Sequence, residues 1–142
     1  MEVNVSEIST LRLYLLRACY LLIGVGVALM IWPGILSHDS DVPHMNTAVR
    51  SLLGAVSLLS LVGLRYPLRM LPILLFELTW KVIWIISFGL PLWRKGLLTG
   101  DFAETMFSCL ATVVIVPFIP WDYVYRHYIK ATGDPWRRQR PA

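Results

Sequence analysis

Two opposite charges stand four residues apart in the middle of a long apolar stretch. Glu77 and Lys81 lie within residues 71–90, where almost every other side chain is apolar. In a helix this spacing places both side chains on one face, with the glutamate first, which is the better order for an ion pair. Each charge costs about 2.5–3.5 kcal/mol at the centre of a membrane helix. The pair is therefore either an internal brace or a functional site inside a membrane.

Aromatic side chains recur at four-residue intervals along the same stretch. They are Phe76, Trp80, Trp84 and Phe88. Their stripe drifts around the helix until it joins the face of the two charges. Aromatic and charged groups that converge between helices favour a polar cavity for an amphipathic ligand such as a lipid or a quinone. The same stripe also suits ordinary packing. Both interpretations remain open, with Trp80 and Trp84 as candidate ligand-binding residues beside the charged pair.

The composition indicates a membrane protein. The chain has 142 residues, of which 56% are hydrophobic and 15% charged, and its mean hydropathy is +0.61. A soluble domain of this size does not need so much apolar surface, whereas each membrane span needs about 20 apolar residues. The net charge of +4 does not indicate nucleic acid, because the basic residues flank the apolar segments. The expected partner is the lipid bilayer.

Four apolar segments predict an all-α, four-helix transmembrane bundle. The predicted spans cover residues 11–32, 45–64, 70–93 and 101–119. Proline and glycine follow the first segment, and Pro117 and Pro120 bend or end the fourth. The short turn after the second segment makes the second and third spans antiparallel neighbours. Residues 1–130 then form one membrane domain, and residues 131–142 form a basic tail.

The basic residues also predict an orientation. Lys and Arg are concentrated at the start of the first span, in the second turn and after the fourth span, whereas the first loop has none and the third loop has Arg94 and Lys95. Cytoplasmic segments carry the excess of basic residues, so both termini and the basic tail are expected in the cytoplasm.

Counting along the helices gives each buried charge a depth. Arg17 and Glu77 both lie roughly 9–10 Å from the cytoplasmic end, at 1.5 Å per residue. The depths therefore predict one cluster of Arg17, Glu77 and Lys81. Arg50 and Glu104 lie at roughly 6–8 Å from the other end and form a second candidate pair. Opposite charges at matching depth are expected to fix the register of neighbouring helices.

The sequence gives little indication of metal binding, catalysis or phosphate binding. The first loop carries His38, Asp39, Asp41 and His44, which are metal-ligand types, but their spacing matches no known motif and suits ordinary loop positions. No arrangement of nucleophile, histidine and acid is legible, and there is no phosphate-binding glycine loop. The sequence therefore predicts no catalytic residue, no metal and no required cofactor.

The stretch GLRYPLRMLPILLFELTWKVIW, residues 63–84, resembles small four-helix bacterial inner-membrane proteins. In overall plan the chain is similar to DoxX-like four-helix proteins. The resemblance implies the fold and a bacterial inner-membrane location, and carries no activity. Small multidrug resistance transporters share the size and the number of spans. Their essential glutamate lies in the first span, where this chain has Arg17.

The leading interpretation is a non-enzymatic, multi-pass membrane protein that binds a membrane partner or an apolar or amphipathic ligand. Four helices leave a large lateral surface, which favours self-association or docking onto a larger membrane complex. One alternative is a small proton-coupled transporter that uses Glu77, although Lys81 would neutralise its cation site. Another is an accessory subunit of a quinone- or lipid-handling membrane enzyme.

Overall fold

Four long helices make up the computed structural model, which describes residues 8–37 and 43–136. The helices are α1 (Thr10–Leu36), α2 (His44–Arg65), α3 (Leu71–Arg94) and α4 (Asp101–Phe118). A short helix, α5, covers residues 121–130, and no strand occurs in either described range. Each long helix can span a membrane, because its most apolar 18 residues have a mean hydropathy of 1.5–2.1. The prediction of an all-α protein with four apolar helices is confirmed, and the chain is a small multi-pass membrane protein.

The first helix continues four residues beyond its predicted end. α1 passes through Pro33 and ends at Leu36. A proline removes one backbone hydrogen bond, and the end of the helix is secured by other contacts. The Ser37 N–H donates to the Pro33 carbonyl at 3.1 Å, and the Ser37 hydroxyl donates to the Gly34 carbonyl at 3.2 Å. The end of the first helix, predicted from the proline and glycine at residues 33–34, was therefore about one turn too early.

Prolines change the geometry of α3 and α4. In α3, a π-helical turn at Ile85–Gly89 separates two α-helical parts. Pro91 explains it, because the proline ring displaces the carbonyl four residues earlier and its nitrogen cannot donate. In α4, the α-helix ends at Ala111 and a 3₁₀ segment, Thr112–Phe118, contains Pro117. These irregular segments determine which side chains of α3 and α4 meet.

The helices pack in a ring. α1 lies along α2, and α2 contacts the first part of α3, Leu71–Trp84. The π turn of α3 meets the first half of α4, and the 3₁₀ segment of α4 returns to α1. In this arrangement α1 lies opposite α3, and α2 lies opposite α4. The core is formed mainly by Leu16, Tyr20, Ile23, Val56, Leu71, Leu74, Ile115 and Ile119.

Polar contacts at different levels join α1 to α2 and to the turn that follows α2. The Tyr20 hydroxyl donates to the Pro67 carbonyl at 2.8 Å, although the ring is fully buried. Nearer the other end, the Trp32 indole N–H donates to the Ser57 hydroxyl at 3.0 Å. Gly63 makes room for the Tyr20 ring, because a Cβ there would overlap the ring carbons. Contacts of this kind fix the register of two helices in an apolar environment.

The last helix packs across one end of the bundle. Ile119 has extended backbone angles, so α5 begins afresh after Pro120 and does not continue α4. Tyr123 and Val124 are buried in the core cluster, and Asp122 lies 3.8 Å from Arg12 at the start of α1. The opposite face exposes aromatic and apolar side chains, as in a helix at a membrane surface. Burial, with a smaller contribution from Tyr123, raises the pKa of Tyr128 above its ordinary value.

Candidate functional site

The two charges of α3 face the interior of the bundle. The exposed fraction is 1% for Glu77 and 8% for Lys81. The Lys81 Nζ lies 3.8 Å from the Glu77 Oε1, so the spacing of four residues does bring the charges together. Both groups lie well inside a segment that can cross a membrane, where an unpaired charge is costly. The pair is the centre of the candidate site.

The fourth helix supplies the closest partner of Lys81. The Lys81 ammonium donates to the Thr112 Oγ1 at 2.6 Å, and Thr112 is itself buried. The Thr112 hydroxyl in turn donates to the Ser108 carbonyl at 3.3 Å. A charge-assisted hydrogen bond therefore crosses from α3 to α4 at the start of the 3₁₀ segment. Thr112 was missed in the sequence, because its role depends on the rotation of α4 relative to α3.

Trp80 contacts both members of the pair. Its indole N–H donates to the Glu77 Oε2, and the Lys81 Nζ lies 5.5 Å from the centroid of its ring. The ring face is the negative part of the aromatic quadrupole, so this position stabilises the ammonium. Trp80 thus belongs to the same polar cluster as the charges. We refer to Glu77, Trp80, Lys81 and Thr112 as the α3–α4 cluster.

One oxygen of the cluster has no hydrogen bond. Among the described residues, Glu77 Oε1 accepts from no donor, and its only charged neighbour is the Lys81 ammonium at 3.8 Å. This oxygen is therefore compensated by the ammonium charge and not by a hydrogen bond.

The aromatic stripe does not form one continuous wall. Trp84 is half-buried and packs beside Gly89 in the π turn, where a Cβ would lie 3.1 Å from both Trp84 Cζ3 and Met106 Sδ. Phe76 and Phe88 are instead exposed on the outside of α3. Only the two tryptophans of the stripe are positioned toward the interior.

Arg17 does not join the cluster, although the depth count predicted it. Its Nε donates to the Leu64 carbonyl at 3.0 Å, and its guanidinium carbon lies 5.7 Å from the Tyr14 ring. The structure places no ion pair between Arg17 and Glu77 within 4.0 Å. Arg17 and Glu77 were predicted to lie at the same depth, but α1 and α3 lie on opposite sides of the ring of helices. Arg17 binds the C-terminal end of α2, where unpaired carbonyls favour a cation.

Arg50 and Glu104 also remain apart, and the reason is the same. They belong to α2 and α4, the second pair of opposite helices, and no contact within 4.0 Å joins them. Arg50 lies against Gly34 of α1, where a Cβ would be 3.0 Å from its Nη1. Glu104 lies in the first turn of α4 and is exposed, and that helix end favours negative charge.

The suggested metal ligands of the first loop lie mostly outside the described residues. His38, Asp39 and Asp41 lie outside the described residues, whereas His44 begins α2. Within residues 8–37 and 43–136, no group of three or more His, Cys, Asp or Glu side chains is arranged to hold a metal ion.

The fold and the site together define a small multi-pass membrane protein with a buried ion pair on α3 that is hydrogen-bonded to α4. Comparison with known proteins finds no matching family model, no matching curated protein and no matching solved structure. The similarity to DoxX-like proteins therefore stays a prediction.

Proposed function

We propose that this chain is a non-enzymatic inner-membrane protein of bacterial type that binds a membrane partner or an apolar ligand, and that the α3–α4 cluster holds its bundle together. The observation that carries the bracing role is the hydrogen bond from the Lys81 ammonium to the Thr112 hydroxyl, which is 2.6 Å long and joins two buried side chains. It ties the charged pair of α3 to α4, which is what a brace requires.

The energetics of burial support the brace. Removing one partner of a buried ion pair typically costs about 3–5 kcal/mol, because the remaining charge is left uncompensated. Glu77 and Lys81 compensate each other, and Trp80 contacts both. A carboxylate held by an ammonium and an indole N–H is neutralised within the protein, which disfavours a freely exchanging cation site.

The binding role is supported by the large lateral surface. Only 17–28% of the residues in the most apolar part of each span are buried. An open apolar groove of about 540 Å³ also runs along α1, bordered by Gly24, Ala28, Trp32 and Leu61. Lipid, a second copy or a larger complex would cover such surfaces in the membrane.

The orientation belongs to the same proposal. Arg12, Arg17, Arg65 and Arg69 lie at one end of the bundle, near α5, and this end is proposed to face the cytoplasm. A cysteine introduced at Ala131 should resist an impermeant maleimide added outside intact cells, whereas one at Thr99 should react. The reverse pattern would contradict this orientation.

Proton-coupled transport is the second candidate, and one observation favours it. Glu77 Oε1 is buried and, among the described residues, without a hydrogen-bond donor. Intramembrane carboxylates form part of the proton relays of pumps and transporters. The two candidates differ in whether Glu77 is needed for flux or for folding.

Purification tests the proposed function. The full chain is purified in a mild detergent, and the lipids, quinones and proteins that remain bound are identified by mass spectrometry. We expect a bound compound or partner enriched above the host membrane composition, and less of it in Trp84→Ala. Trp136→Ala is the matched control, because this tryptophan is fully exposed and lies outside the four spans.

Two results would contradict the proposal. One is that nothing is enriched over the host membrane composition in the purified protein. The other is a proton flux in proteoliposomes that is lost in Glu77→Gln while the folded yield stays unchanged, which would support transport.

A further inference from the structure

Two arginines share one aromatic ring in the turn between α2 and α3. The guanidinium carbon of Arg65 lies 5.5 Å from the centroid of the Tyr66 ring, and that of Arg69 lies 5.8 Å from the same centroid. All three side chains are exposed. A guanidinium held over an aromatic face keeps its planar edge of N–H donors available for another group.

The protein supplies no anion to this pair of cations. Within the described ranges, the two ion pairs shorter than 4.0 Å are Arg12–Asp122 and Lys81–Glu77, and neither involves the turn. Two positive charges are therefore held around one ring without a carboxylate between them. Such a local excess of positive charge is complementary to an anion.

The backbone of the turn is fastened to α1. The Pro67 carbonyl accepts the Tyr20 hydroxyl at 2.8 Å, and the Leu64 carbonyl accepts the Arg17 Nε at 3.0 Å. Leu68, between the two arginines, is buried in the core cluster. The arginines thus extend from a fixed segment, and preorganised donors lose less conformational entropy when they bind a ligand.

The turn lies at the level of the lipid headgroups, because it joins the ends of two helices that can span a membrane. We propose that Arg65 and Arg69, held by Tyr66, bind the phosphate of an anionic phospholipid. The planar guanidinium of arginine can donate two parallel hydrogen bonds to phosphate oxygens. Each basic residue at a membrane surface also adds to the attraction of anionic lipid. This inference is independent of the proposed function, because it needs neither the α3–α4 cluster nor a further partner.

Native mass spectrometry of the full chain in detergent tests the site. Phosphatidylglycerol and phosphatidylcholine with the same acyl chains are titrated separately. We expect wild type to retain phosphatidylglycerol preferentially, and the double variant Arg65→Gln/Arg69→Gln to bind it on the order of 10-fold more weakly or worse.

The control removes the same charge elsewhere. Arg94→Gln/Lys95→Gln acts on two exposed basic residues at the opposite end of the bundle, and phosphatidylglycerol binding should change by less than about twofold. Arg65→Lys/Arg69→Lys keeps the charge and the topology signal, yet should bind more weakly than wild type because ammonium groups lack the planar fork. This variant keeps the test valid should the glutamine pair fail to fold.

Three results would overturn the proposal. Equal losses of phosphatidylglycerol binding in Arg65→Gln/Arg69→Gln and Arg94→Gln/Lys95→Gln would show general charge attraction. Wild-type binding by Arg65→Lys/Arg69→Lys would show that any two cations suffice. Displacement of the lipid by millimolar inorganic phosphate would identify a free anion as the natural occupant. Retained lipid in the presence of phosphate supports the lipid as the ligand.

Discussion

Lys81 illustrates how a full charge is accommodated inside an apolar helix. Its ammonium has a carboxylate at 3.8 Å, a hydroxyl oxygen at 2.6 Å and an aromatic face at 5.5 Å. The hydroxyl contact is the shortest of the three, and it comes from another helix. The threonine therefore contributes to the stability of the bundle, and not only to the solvation of the lysine.

Replacing Thr112 tests this contribution. Thr112→Val keeps the shape of the side chain and removes the acceptor, so the free energy of unfolding should fall by about 1.5–3 kcal/mol, as for hydrogen bonds to charged groups. Thr112→Ser keeps the hydroxyl and should lose clearly less. Denaturant titration in detergent measures both, and equal losses would show that packing, not the hydrogen bond, is responsible.

The sequence predicted part of this site. The contact of Glu77 with Lys81 follows from spacing on one helix, and Trp80 was identified because it lies on the same stretch. Thr112 could not be identified, since one threonine among several in the chain becomes a partner only through the packing of α4 on α3. Local spacing fixes contacts within a helix and leaves contacts between helices undetermined.

At the scale of elements, the α1–α2 hairpin is the best-defined unit. The buried Tyr20 ring lies against Gly63, and its hydroxyl binds the turn beyond α2. Gly24 gives a similar close approach, with a Cβ position 3.4 Å from the Ser57 carbonyl oxygen. Small residues allow the two backbones to approach, and side-chain hydrogen bonds then fix their register.

A pair of glycine substitutions tests the close approach. Gly63→Ala should destabilise the protein by about 1–3 kcal/mol, because the Tyr20 ring cannot move without losing its hydrogen bond. Gly26→Ala, on the same hairpin, meets no atom within 4 Å and should be neutral or stabilising. Thermal unfolding in detergent measures both. A Gly63→Ala variant as stable as Gly26→Ala would contradict the packing of α1 on α2.

The presence of the four helices could be predicted from hydropathy, whereas the local geometry of those helices could not. All four spans begin within one residue of the predicted positions, because runs of about 20 apolar residues are a strong signal. The π turn of α3 and the 3₁₀ segment of α4 were not predicted. A proline indicates that a helix will bend or end, but neighbouring helices decide how the freed backbone groups are satisfied.

The order of the helices explains the wrong charge pairs at the scale of the molecule. Arg17 with Glu77 and Arg50 with Glu104 were matched by depth, and each match joins helices that lie opposite each other. Depth follows from residue count and rise, so the sequence provides it. The lateral arrangement arises from packing across α1–α2 and α3–α4, and no single sequence segment encodes it.

Among the predicted charges of the described part of the chain, the Glu77–Lys81 pair is the one that forms an ion pair and also hydrogen-bonds a side chain of a neighbouring helix. The cluster is therefore expected to act on the stability of the whole bundle. Arg17 and Arg50 bind or pack against adjacent backbone and should make smaller, independent contributions.

A double-mutant cycle on the free energy of unfolding tests the central claim most directly. Glu77→Gln and Lys81→Met should each cost about 3–5 kcal/mol, and the double variant should cost clearly less than their sum because no charge is left unpaired. A matched cycle of Arg50→Gln and Glu104→Gln should be additive within about 0.5 kcal/mol. Additive losses at Glu77 and Lys81 would contradict the brace.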